Sequence, residues 1–249
     1  MAKILLINPS WRPTYKNLLN SFGLPFFPVL SLAAIAAQAR KNGHKVEILD
    51  LCFRDYNPSA ILGHVKNTAP DIVGFTGTTP LFPQTIEISN AVKKLSKNIF
   101  TLGGGPHCSA LPEQSIAEAN LNAICVGEGD FTLAQIADGV ALKDIPGLVY
   151  REENGGEIRR NVPGDWIKDL DVLPMPAWDL FNIKEYIPYA SRLMAKRAPV
   201  SFFETTRGCV FLCNYCASKT TLGRLLRKKS VDRVIEEIKY MKSFGFREF

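Results

Sequence analysis

Short apolar runs and stretches of helical period alternate through the first 150 residues. Residues 3–7, 45–49, 71–75, 99–102 and 121–126 are β-rich and apolar, and each reads as a strand. Between them lie residues 30–40, 58–67, 81–97, 112–119 and 130–138, which read as helices. The first of these is Ala-rich and stops at Asn42-Gly43. In the third, Ile88, Ala91, Val92 and Leu95 share one face. Strands alternating with helices imply a parallel sheet covered on both faces, because each crossover lays a helix on the sheet. The pattern predicts an α/β domain, a doubly wound parallel sheet of about five strands, with residues 146–150 as a further edge strand.

The period weakens after residue 150. Residues 151–198 hold Gly155-Gly156, Pro163-Gly164 and Pro174-Met175-Pro176, and read as a linker. A second unit spans 199–249. It opens with an apolar strand at 200–205. Ser230 then caps a helix whose Val231, Val234, Ile235, Ile238 and Met241 form one face, and Gly245 ends it. Phe246 begins another strand. The expectation is a complete domain at 1–150, a linker, and the first βα step of a larger, truncated domain.

In an open parallel sheet, ligands bind beyond the carboxyl ends of the strands. The loops there are unusual. After the first strand, Asn8-Pro9 leads into some twenty residues rich in aromatics: Trp11, Tyr15, Phe22, Phe26 and Phe27. The later ones read Thr76-Gly77-Thr78-Thr79-Pro80, Gly103-Gly104-Gly105-Pro106-His107 and Gly127-Glu128-Gly129-Asp130. Together they describe the rim of a site for a large ligand, since glycine lets a ligand approach the backbone. Neither a Gly-x-Gly-x-x-Gly turn after the first strand nor a Walker phosphate loop occurs.

The chain has 249 residues, of which 46% are hydrophobic and 22% charged. Those proportions exclude disorder, collagen and coiled coil as the main state. The longest weakly polar run, 29–39, contains Ser31 and Gln38 and falls short of the roughly 18 apolar residues that a spanning helix needs. No secretory signal is visible, so a cytoplasmic protein without a membrane partner is expected.

Six cysteines are present: Cys52, Cys108, Cys125, Cys209, Cys213 and Cys216. A reducing compartment argues against disulfides. Cys52 and Cys125 lie in apolar strand contexts and read as small core residues. The last three form Cys209-x3-Cys213-x2-Cys216. Three thiolates in one loop can hold a soft metal, but structural zinc wants a fourth ligand. The nearest candidates, His107, Cys108 and Cys125, are far upstream. A [4Fe–4S] cluster held by three thiolates would leave one iron open to another ligand. The formal charge of +6 is concentrated here: residues 192–233 carry ten Lys and Arg against Glu204 and Asp232, so the rest of the chain is slightly acidic.

The three-cysteine spacing, with Tyr215 before the last cysteine and Thr205-Thr206-Arg207-Gly208 before the first, resembles the radical S-adenosylmethionine (SAM) signature. The resemblance implies that Cys209, Cys213 and Cys216 bind a [4Fe–4S] cluster. The open iron would chelate SAM, and Tyr215 would help position the adenine. The first half resembles the cobalamin-binding domain fused before many radical SAM domains. The matching residues are Asn8-Pro9, Pro28, Asn42-Gly43-His44, Gly103-Gly104-Gly105-Pro106-His107, Gly127-Glu128-Gly129 and Leu173-Pro174-Met175-Pro176-Ala177-Trp178. Asn8, Thr76, Gly77, Thr78, Gly103, Gly104, Gly105, His107, Gly127, Glu128 and Gly129 are then the expected cobalamin contacts. The Asp-x-His-x-x-Gly motif of a histidine lower ligand is absent, so the resemblance implies cobalamin with no histidine below the cobalt.

The activity this implies is reductive SAM cleavage, with methyl transfer to an unactivated centre of a small molecule. Ring-forming enzymes share the architecture. A reductant such as flavodoxin or ferredoxin would be the partner. The alternative is a cobalamin or small-ligand binding module with a structural metal–cysteine site and no catalysis. The basic residues read as neighbours of an anionic cluster rather than as a nucleic-acid footprint.

Overall fold

The computed structural model describes residues 1–15, 27–152, 156–193 and 195–249, with the side chains of 190–193 left aside. Phe22, Phe26 and Gly155 lie outside the described residues. Strand β1 (Lys3–Asn8) has every residue after Lys3 buried, as a central strand covered on both faces requires. Its side chains alternate between two cores. Ile4 and Leu6 pack under α1 (Leu30–Lys41), with Leu32, Ala33 and Ala36. Leu5 and Ile7 pack on the other side, with Ile61 of α2 (Pro58–Thr68) and Ile88 and Val92 of α3 (Phe82–Leu95). Burying each such side chain stabilises by roughly 1.5–3 kcal/mol.

Strands β2 (Lys45–Asp50) and β3 (Ile72–Thr76) flank β1 in parallel, with Ile4 opposite both Val46 and Ile72. Then come β4 (Phe100–Gly104) and β5 (Ala123–Cys125), also parallel. Two short helices, α4 (Gly105–Ala110) and α5 (Pro112–Glu118), join them, and α6 (Thr132–Ala137) follows β5. Two antiparallel strands, β6 (Leu148–Arg151) and β7 (Ile158–Arg160), complete a seven-stranded sheet ordered β2-β1-β3-β4-β5-β6-β7. The five parallel strands and the further edge strand stand where the apolar runs predict them.

The differences have local causes. The glycines expected as loop are split: Gly103 and Gly104 continue β4, and Gly105 opens α4. Strand β7 is polar and half exposed, so Ile-Arg-Arg carries no apolar signal. It sits within the stretch expected to be a linker. That stretch also buries Trp178 completely, against Phe246 at 5.5 Å and Phe181 at 6.1 Å between ring centroids.

In the last fifty residues, the expected strand at 200–205 is reduced to a single parallel bridge, Val200 to Glu248. Extended backbone becomes a strand only where a partner runs alongside, and Arg247 N–H to Pro199 O with Ser201 N–H to Glu248 O is the pairing seen. A small hairpin forms instead from β8 (Thr206–Arg207) and β9 (Arg227–Lys228). Between its arms lie the cysteine loop and the short α7 (Ser218–Thr221), which packs on α4. Helix α8 (Val231–Ser243) is capped as expected, Ser230 Oγ accepting from Arg233 N–H at 3.1 Å. Its inward face keeps Val234, Ile238 and Met241 of the expected set but is turned from Val231 and Ile235 toward Glu237. Val231 and Ile235 are exposed, while Glu237 and Met241 are buried. Glu237 tolerates burial because Lys229 reaches it at 2.7 Å and Arg233 at 2.9 Å. No described helix is long and apolar enough to cross a membrane.

Candidate functional site

A cavity of about 120 Å³ opens at the carboxyl ends of β3, β4 and β5, under α1 and α6. Its walls include Leu6, Leu32, Ile35, Phe75 and Leu133. Six residues expected at a ligand rim line it: Thr76, Gly103, Gly104, Gly105, Gly127 and Gly129. Glycine is needed at 105. There φ is +85°, and a Cβ would stand 2.7 Å from Thr76 Oγ1 and 3.1 Å from the Gly77 nitrogen. The two loops therefore close on each other backbone to backbone.

Other expected rim residues do not reach the cavity. Asn8 is buried and donates to Asp50 Oδ1 at 2.8 Å, tying β1 to β2. Gly77 and Thr78 lie just behind Thr76, and Thr78 Oγ1 is buried with no partner among the described residues. His107 is buried too. Its Nδ1 lies 3.1 Å from Thr79 Oγ1, and its ring leans on Phe82 at 4.1 Å. Burial pushes its pKa below the usual histidine range, so the ring is neutral at neutral pH. Its Nε2 has no partner among the described residues. Buried polar atoms are normally hydrogen-bonded. Two unpaired ones beside a glycine cradle fit a large ligand with its own donors and acceptors.

The three cysteines of the last unit are free, and Cys213 and Cys216 are exposed. Ser218 lowers the Cys216 pKa through hydrogen bonds from its side chain and backbone, which favours the thiolate. The Cys209 N–H donates to Gly223 O at 3.1 Å, pinning the loop's entry to its exit. Tyr215 is 88% exposed at the loop tip. Among the described residues, no three His, Cys, Asp or Glu side chains converge on one point. The possible fourth ligands are spent elsewhere: His107, Cys108 and Cys125 are buried in the sheet unit, where burial raises Cys108 to about 12 and Cys125 to about 11. Three soft thiols with no fourth partner suit an iron–sulfur cluster with one open iron better than tetrahedral zinc.

Besides the packing of α7 on α4, the two regions are joined by a cluster of charges. Glu128 and Asp130 of the loop after β5 face the hairpin, not the cavity. Arg207 holds Asp130 with both guanidinium nitrogens, at 2.7 and 3.1 Å. Arg227 holds Glu128 at 2.8 Å and stacks over Trp166 at 5.4 Å. Burial opposes the charge on Arg207, and the hydrogen bond and charge of Asp130, with Glu204, outweigh it, so its pKa stands above the ordinary value. Asp130, Arg207, Arg227 and Trp166 are absent from the residues that sequence reasoning picks as functional. Arg207 and Asp130 stand inside the quoted motifs, but nothing in one sequence says that they pair across 77 residues.

Residues 20–137 match the B12 binding domain family. An uncharacterized methyltransferase of Pyrococcus horikoshii is 33% identical over all of this chain and 52% of its own length. The chain spans about half the length of the curated relatives it matches. Among solved structures, the cobalamin-dependent SAM radical enzyme OxsB, with aqua-cobalamin and SAM bound, superposes with a TM-score of 0.75 at 21% identity. The match covers 99% of this chain and 33% of that one. The radical SAM methyltransferase TsrM from Kitasatospora setae, with cobalamin and a [4Fe–4S] cluster bound, gives 0.70 at 19% identity, over 99% and 47%. These likenesses establish a shared fold across the sheet unit and the cysteine hairpin.

Proposed function

We propose that this chain, whose residues 20–137 match the B12 binding domain family and whose relatives include a cobalamin-dependent radical SAM methyltransferase, binds cobalamin at the sheet edge and a [4Fe–4S] cluster with SAM at the cysteine loop. The whole protein then cleaves SAM reductively and transfers a methyl group to an unactivated centre of a small molecule. One observation carries the reading: the hairpin that holds Cys209, Cys213 and Cys216 is anchored on the loop that walls the cavity.

When bound, the cluster supplies the electron that cleaves SAM, and the cobalamin carries the methyl group. The chain's residues do the rest. The three thiolates hold the iron, and Ser218 keeps Cys216 ready to bind it. Arg224 braces the loop by donating to Phe211 O at 2.9 Å. Tyr215 stands free to flank the adenine. Gly104 and Gly105 let the corrin side approach the backbone, and the apolar cavity keeps water from its tail. A small electron-transfer protein such as flavodoxin or ferredoxin is the reductant. Four of the ten basic residues at 192–233, Arg207, Arg227, Lys229 and Arg233, are committed to buried carboxylates, which supports a structural use of this charge over a nucleic-acid surface.

Two measurements test this. Titration with hydroxocobalamin is expected to shift the corrin spectrum, and an unshifted spectrum at saturating cobalamin would sink the first half. Anaerobic reconstitution is expected to give a brown protein with about four irons per chain, lost in Cys213→Ala. Stoichiometric zinc without iron would favour the binding module with a structural metal.

A further inference from the structure

The join between sheet and hairpin holds charges that the proposed chemistry does not use. In the loop after β5 the residues alternate. Gly127 and Gly129 line the cavity, while Glu128 and Asp130 carry side chains only 7% exposed and turn to the hairpin. The Glu128 carboxylate is saturated. Its Oε1 accepts from Arg207 at 3.2 Å and Arg227 at 2.8 Å, and its Oε2 from Arg227 at 2.8 Å and the Ile167 N–H at 3.1 Å. A carboxylate offers about four acceptor positions, so none is left for a ligand amide.

The other end of the clamp is equally fixed. Glu204 holds Arg207 Nε at 2.6 Å. One residue separates Arg207 from Cys209, and it has no freedom: Gly208 sits at φ +91°, where a Cβ would come within 2.0 Å of Leu225 O. Arg227 donates to Leu222 O at 2.7 Å and Ile167 O at 2.9 Å. The Trp166 ring fills the space between Gly127 and Gly223, where Cβ atoms would meet it at 3.4 and 2.5 Å.

We infer that Glu128 and Asp130 are positioning residues for the cysteine loop rather than cobalamin contacts: they clamp Arg207 and Arg227, so the loop that walls the cavity also sets where the three thiols stand. The inference deepens the proposed function and rests on it only for what the two sites bind.

The test pairs loop exchange with cofactor binding. In the ligand-free chain, Asp130→Asn and Glu128→Gln are expected to raise deuterium uptake across residues 207–224 by about tenfold, because the first leaves Arg207 only Glu204 and the longer Glu128 contact and the second leaves Arg227 buried without its carboxylate. Asp130→Glu, which keeps the charge, restores slow exchange. The midpoint for hydroxocobalamin stays within about twofold of the wild type in all three, as expected for groups that touch no ligand. In the reconstituted, reduced chain, Asp130→Asn changes the electron paramagnetic resonance line shape of the cluster, and Asp130→Glu returns it. Arg207→Lys, which keeps the charge but loses the two-pronged contact, gives intermediate exchange and serves if the carboxylate variants do not fold. Glu128→Gln weakening hydroxocobalamin about tenfold or more, with exchange of 207–224 unchanged, overturns the inference. A wild-type chain that gives no corrin shift overturns the cofactor reading instead, and the exchange rates still decide the clamp.

Discussion

The cavity at the sheet edge is walled by apolar side chains and glycines, whereas the cysteine hairpin is held at its base by ions and is exposed at its tip. The first arrangement is a by-product of core packing. Once α1 and α6 settle on the sheet, the space above Leu6 and Leu102 is shaped by volume. The second depends on a few directional contacts between charges taken out of water. Volume changes should therefore act on the cavity, and charge changes on the hairpin.

The largest effect is expected from Arg207→Ala. It strands Asp130 and part of Glu128, and breaking one side of a buried ion network costs about 3–5 kcal/mol. Urea denaturation checks this. A loss below about 1 kcal/mol, the value of a surface pair, would put the network on a par with exposed ones and erase the contrast. Next comes Gly105→Ala, which meets Thr76 Oγ1 at 2.7 Å in a left-handed backbone. It should cost about 1–3 kcal/mol and weaken hydroxocobalamin, while deuterium exchange of the hairpin stays at the wild-type rate. Loss of hairpin protection in this variant would show that the two regions are one cooperative unit.

The smallest effect concerns His107. Its pKa is held below the usual range by burial, so the unfolded chain takes up the proton first. The stability it contributes is complete above the ordinary histidine pKa and falls as pH drops through it. His107→Gln should therefore flatten the loss of Tm between about pH 7 and pH 5 relative to the wild type. An unchanged slope would place the titrating group elsewhere.

Much of the fold was legible because parallel strands buried on both faces are written as apolar runs. Residues 3–7 and 71–75 show this, and so does helix α2, whose Asn57 side chain caps it by accepting from Ala60 N–H at 3.1 Å. Strand β7 was not legible, because an edge strand needs no apolar face. The inward face of α8 was legible at Val234, Ile238 and Met241 but not at Glu237, which looks like a solvent residue until Lys229 and Arg233 converge on it. At the candidate site, Gly103, Gly104, Gly105, Gly127 and Gly129 were visible as punctuation, yet Glu128, in the same motif, faces the other way.

By itself, the sequence determined the parallel sheet, its order of elements and the three-thiol loop, because period, turn chemistry and spacing are local properties. The tertiary structure decided that Asn8 ties strands instead of facing the cavity, that Trp178 of the expected linker lies in the core, and that Arg207 and Arg227 reach back to Asp130 and Glu128. Those outcomes depend on which charges lose water together, and desolvation is a property of the assembled fold rather than of any stretch of chain.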